Sequence, residues 1–316
     1  MMSDATRTYL VHGMRIRSDI PFDAAPAPAG PVDVEVILGR QLRSVPPRRP
    51  GGEPMAELHQ FGRLWYAASR DGADVILRFP HLAEFVLQVG RGRIVCHPHR
   101  DVPAEPLGLL LSGTVLATWL TLEGHLVLHA SGVVSDGVTV AFAGLSGMGK
   151  STCAALACVA GARLLSDDLV LVGSDLDTEP GMRGIRLRRA AAGIVDLFEG
   201  EVRTRATFDD RLAVFPPYAS TSAPLRAVVI PRPDRGADRL VVDEVPPSQA
   251  VPLLLPCLRV PRWFDHAVSA RNLRRLGELV ARVPVFTASI PWGPPFDPEP
   301  VADLLAEVSA AGPPGS

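Results

Sequence analysis

The chain has 316 residues, enough for one large domain or two ordinary ones. Apolar residues make up 47% and charged residues 21%, which excludes a disordered chain and supplies a sizeable core. The net charge of −2 gives no basic excess for nucleic acid, and Cys96, Cys153, Cys158 and Cys257 are spaced neither as a disulfide framework nor as a CxxC metal site.

In chain order, the first elements read as short strands and turns. Residues 1–17 lack the apolar core of a secretory signal, and isolated cysteines suit a reducing cytoplasm, the expected location. Residues 8–16 and 32–38 are strand-like, with a Pro- and Ala-rich loop at 21–31 between them and a second loop at 43–54. Segments 64–68 and 74–79 flank Arg70-Asp71-Gly72 as a hairpin, and 85–89 and 94–97 flank residues 90–92 as another. Residues 1–105 are thus expected to form a mostly antiparallel β region without chemical motifs.

The character changes from residue 106. Residues 107–122 read as a long apolar helix ended by Gly124-His125. Ser112, Thr114, Thr118 and Thr121 break its apolar runs, which are too short to cross a bilayer. A strand at 126–134, a turn at 135–137 and a strand at 138–143 follow. Then come a glycine loop, a helix at 151–160 ended by Gly161, and strand pieces at 163–165 and 169–172 around Ser166-Asp167-Asp168. That order predicts an α/β domain over 106–316. Further on, 184–187 and 227–230 read as strands and 247–257 as a helix weakened by Pro252. A helix at 267–282, a strand at 283–290, a helix at 297–311 and a frayed tail at 312–316 complete the chain.

The loop Gly144-Leu145-Ser146-Gly147-Met148-Gly149-Lys150-Ser151 matches GxxxxGK[ST] in full. Glycines let consecutive backbone N–H groups turn inward around phosphate oxygens, and the helix that follows adds its positive end. In such a loop the lysine, here Lys150, reaches the outer phosphates, and the hydroxyl, here Ser151, ligates magnesium. Thr152 extends the nucleotide-binding set. The cofactors expected are therefore ATP and Mg2+.

Asp167 and Asp168 are adjacent carboxylates between apolar runs, a costly arrangement unless they meet a cation or protons. Adjacent strand residues face opposite ways, so the pair is expected to divide its work, one carboxylate holding a metal-bound water and the other facing the acceptor. Asp168 lies 17 residues after Ser151, so one helix and a return along the neighbouring strand bring it beside the phosphates. A base so close favours proton abstraction from a hydroxyl. His129, 15 residues before Gly144, reads on its own as a structural histidine.

At His129, Gly144 to Ser151 and Asp167-Asp168 the chain resembles the HPr kinase/phosphorylase family in its C-terminal catalytic domain. That family has a His upstream of a GxSGxGKS loop and an Asp-Asp pair one helix later. The resemblance covers about residues 125–172. It implies a core similar to ATP-dependent phosphoenolpyruvate carboxykinase, Lys150 on phosphate, Ser151 on magnesium, Asp168 as catalytic base, and His129 as a catalytic residue. Asp19-Ile20-Pro21, residues 107–122 and Leu128-His129-Ala130-Ser131 are similar to HPr-kinase-like serine kinases found near peptide natural-product pathways, including lasso peptide clusters. The chain departs from the family's second signature: Met182-Arg183-Gly184-Ile185-Arg186 is similar, but Glu179 is displaced. A second metal ligand and a downstream catalytic arginine are therefore left unassigned.

Two functions follow. One is a serine kinase phosphorylating a hydroxyl on a peptide or small molecule. The other is a nucleotide-binding ATPase or switch without a phosphoacceptor. Neither needs nucleic acid or membrane, and self-association stays open.

Overall fold

The computed structural model describes residues 6–60 and 62–311; the tail expected at 312–316 lies outside them. The protein is mixed α/β, and its chain divides into two compact units. One comprises residues up to His125 with Val260–Asn272, the other Leu126–Arg259 with the segment from Leu273. The boundary expected at residue 105 thus falls at 125, so the long apolar helix joins the first unit, and a later segment returns to it. Hydrogen bonds hold that segment: Phe264 N–H donates to the Met55 carbonyl, Arg271 to the Thr121 carbonyl and Arg70 to Asp265.

Among the described residues the first unit carries a nine-stranded sheet. Its order is Ala25–Pro26, Arg7–Val11, Met14–Ser18, Val34–Leu38, Arg93–Pro98, Ala83–Gln88, Asp74–Phe79, Arg63–Asp71 and Glu53–Gln60. Neighbours are antiparallel except where Val34–Leu38 pairs with Met14–Ser18 and with Arg93–Pro98. Val75, Leu77 and Phe79 alternate inward, as one buried face requires. The single strand expected at 8–16 is a hairpin, because His12 and Gly13 both take positive φ (52° and 75°) and turn the chain between Arg7–Val11 and Met14–Ser18.

The long helix runs Ala104–Leu122 with a π-turn at Leu111–Val115. Gly108 lets it approach Pro21, whose carbonyl oxygen would lie 2.3 Å from a β-carbon there. By length and composition this helix could cross a membrane, contrary to the reading of short apolar runs, but 83% of its most apolar window is buried in the protein. That burial is the pattern of a core helix.

In the second unit, Val138–Ala143, Ala223–Asp234 and Val285–Pro291 are parallel neighbours. Ala130–Ser135 and then Arg163–Ser166 extend the sheet antiparallel on one side, and Val241–Val245 extends it on the other. Alternate residues feed two cores. Val140, Phe142, Ala227 and Val229 pack with the helices Lys150–Val159 and Glu299–Ala310. Ala141, Ala143, Val228 and Ile230 pack with Pro247–Leu254 and the end of His266–Val280. A small sheet of Ile185–Arg188, Arg211–Phe215 and Arg203–Ala206 adjoins the first of these cores through Ile185 and Leu187. The four cysteines are free and buried.

Candidate functional site

The site begins at the carboxyl ends of the parallel strands, where open α/β sheets form their crevices. The loop after Ala143 has an exposed tip at Leu145, Ser146 and Gly147, while Gly144 is buried. Gly147 and Gly149 take φ of 92° and 81°, a region that penalises side chains. Gly149 also needs the space: a β-carbon there would lie 2.8 Å from the Trp292 ring and 2.9 Å from Pro233. Met148 folds back so that Leu145 N–H donates to its sulfur (3.1 Å). Lys150 and Ser151 open the helix, with Thr152 half-buried behind them. Lys150 Nζ spans the loop to donate to the Leu145 carbonyl (3.0 Å).

The second part arises from two strand breaks at one level. Leu126–Leu128 pairs with Val170–Val172, while Ala130–Ser135 pairs with Arg163–Ser166. The same two segments face each other on both sides of the break, and both leave the ladder at one level, one at His129 and the other at Asp167-Asp168-Leu169. The expected continuous strand 126–134 is thus interrupted at His129, whose N–H leaves the ladder to donate to the Cys257 carbonyl (2.7 Å). Asp168 adopts φ +68°, an unusual left-handed backbone for a residue with a side chain. The aspartates lie in a bend rather than a strand, yet their side chains do diverge.

Asp167 is buried and its oxygens are occupied. Oδ1 accepts from the hydroxyls of Ser131 (2.6 Å) and Ser151 (2.8 Å), and Oδ2 accepts from the Arg186 N–H (3.0 Å). Asp168 lies between two donors: Arg259 Nη2 donates to Oδ2 at 2.8 Å, and His129 Nε2 lies 3.1 Å from Oδ1. Its side chain keeps 46% of its surface open, so the carboxylate remains reachable from solvent.

Charge and burial set the protonation states. Desolvation pushes the Asp168 carboxyl up, but Arg259 and His129 outweigh it and hold the group well below the usual carboxylate range. Burial lowers His129 below its ordinary value despite the Asp168 contact, so it is neutral at neutral pH and Nε2–H donates to the carboxylate. Burial also lowers Lys150, against the pull of Asp168 and Asp167. Lys150 is 6% exposed, so its charge acts through a medium less screening than water.

The structure brings His129 to Asp168 and Ser151 to Asp167, with Lys150 spanning the loop, and adds three residues. Arg259 anchors Asp168, Ser131 anchors Asp167, and the Arg186 main chain closes the other side of Asp167. Ser131 and Arg186 had local signals, the first beside His129-Ala130 and the second within Met182-Arg183-Gly184-Ile185-Arg186. Arg259 is 91 residues from Asp168, beyond any local pattern. Among the described residues no cluster of three or more His, Cys, Asp or Glu forms a metal cage. No protein-family model matches the chain, and a search of curated proteins returns no match.

Proposed function

We propose that the chain is an ATP- and magnesium-dependent serine kinase of the HPr kinase/phosphorylase-like kind, with a phosphate-loop core similar to ATP-dependent phosphoenolpyruvate carboxykinase. Its acceptor is a hydroxyl on a peptide or small molecule. The observation that carries this reading is a solvent-reachable, ionised Asp168 within the electrostatic reach of Lys150, while Asp167 holds the Ser151 hydroxyl.

In this reading the loop N–H groups and Lys150 bind the phosphates. Ser151 Oγ and Asp167 Oδ1 are hard oxygen donors 2.8 Å apart, a set that fits magnesium, which commonly takes one or two carboxylates and completes its shell from phosphate and water. When bound, the ion neutralises charge on the phosphates. Asp168 accepts the proton of the acceptor hydroxyl as that oxygen bonds to the terminal phosphorus and ADP leaves. His129 and Arg259 orient the carboxylate. Held ionised by these partners, the carboxylate is able to receive that proton.

The double engagement of Asp168 by His129 and Arg259 also suits an ATPase or switch without an acceptor, since no hydroxyl then needs the carboxylate. Mass spectrometry of candidate peptides incubated with the protein, ATP and magnesium separates the two. The kinase reading expects an alkali-labile, acid-stable phosphoserine ester. Release of inorganic phosphate alone favours the switch, and an acid-labile phosphoramidate contradicts the hydroxyl acceptor.

A further inference from the structure

The small sheet beside the site concentrates arginines, and several have partners close by. Arg186 and Arg211 meet Asp209, Arg189 meets Asp210, and Arg203 lies 3.5 Å from the Phe215 ring centre. Arg188 differs. It is exposed and has no ion-pair partner among the described residues. Its guanidinium nitrogens lie 3.8 and 4.0 Å from where a β-carbon on Gly147 would sit. The group therefore stands beside the middle of the loop, two residues from the Leu145 carbonyl that receives Lys150.

The strand Ile185–Arg188 explains the placement. Ile185 and Leu187 are buried in the core, so alternation turns Arg186 and Arg188 the other way. The same strand supplies the Arg186 N–H that fixes Asp167. One short element thus holds the carboxylate beside Ser151 and delivers a free guanidinium to the loop. A guanidinium offers a planar fork of donors that matches phosphate oxygens two at a time. Here it stands beside the Gly147 backbone, with no carboxylate partner among the described residues.

We propose that Arg188 is a second cation of the phosphate site, closing on the outer phosphate oxygens of a bound nucleoside triphosphate and so favouring triphosphate over diphosphate. The proposal rests on the nucleotide reading above. Titration calorimetry with ATP and ADP, each with magnesium, on wild type, Arg188→Gln and Arg188→Lys tests it. Hydrogen bonds to charged groups lead us to expect ATP affinity to fall about 10-fold or more in Arg188→Gln. ADP affinity should fall less, Arg188→Lys should lie between, and thermal unfolding should be unchanged, as befits an exposed side chain. An unaltered ATP-to-ADP ratio in Arg188→Gln, or equal loss for both nucleotides, overturns the proposal while the nucleotide reading survives. Wild-type protein that binds neither nucleotide overturns both.

Discussion

The two sheets follow the same alternation over most of their lengths and differ in where they abandon it. In the first unit the turns lie at strand ends, such as His12-Gly13 and the residues around Gly72, and the register shifts at Pro54/Ala56 and Leu58/His59 leave Glu53–Gln60 paired with Arg63–Asp71. In the second, two paired strands break in mid-ladder at one level, and a non-glycine residue, Asp168, takes a left-handed backbone there. The turns only reverse the chain. The mid-ladder break removes residues from the ladder and gives their side chains other partners. A strained backbone within a well-formed sheet persists only where its surroundings enforce it, and such positions concentrate at functional sites.

Substitutions can break that contrast. The largest effect is expected at the strained position: Asp168→Asn keeps the shape but accepts no proton, so turnover should fall about 10²–10⁴-fold. ATP affinity should change little, because the loop, Lys150 and Ser151 remain. Steady-state rates paired with calorimetry check this, and wild-type turnover would refute the assignment of the base. Lys150→Ala should lower turnover by roughly 10²–10³-fold, the scale for losing one group that stabilises developing charge. A purified, folded variant with normal rates would sink the phosphate assignment.

Arg259→Gln sharpens the comparison through pH. Asp168 lies below its ordinary pKa in the folded protein, so its ion pairs stabilise the fold above the ordinary carboxylate range, and that stability is lost as pH falls through the folded value. Without Arg259 the carboxyl moves up. The acid limb of turnover should then shift to higher pH, with some loss of stability at neutral pH. An unmoved limb would show that Arg259 does not govern Asp168. The smallest effect belongs to the first sheet. Gly13→Ala forces a side chain into left-handed backbone at a cost of about 1–2 kcal/mol. It should lower the thermal midpoint and leave ATP affinity as it was.

What the sequence disclosed follows the same division. The loop and the aspartate pair were legible as local patterns and His129 only through the resemblance, while the hairpins around Gly72 and residues 90–92 were legible from their turn residues and the one at His12-Gly13 was not. Glu53–Gln60 was not read as a strand, since Glu53, Pro54, Ala56 and Glu57 are poor strand formers. Pairing with Arg63–Asp71 overrides that propensity. Arg203–Ala206 and Val241–Val245 lie at sheet margins and are mostly exposed, so no apolar run marks them. Arg259 and the ladder break at His129 depend on which distant segments meet, which no window of sequence contains.

The Asp168–Arg259 link has a kinetic consequence. It joins residues 91 apart in the chain. Closing a loop of that length has an entropic penalty of about 4 kcal/mol from its length alone, which must be met before the pair contributes anything. The loop, its helix and the returning strand are neighbours in sequence and can form early, whereas the arginine arrives only with the wider topology. On dilution from denaturant, nucleotide binding should therefore recover before turnover, leaving a transient species that holds substrate and cannot yet use it.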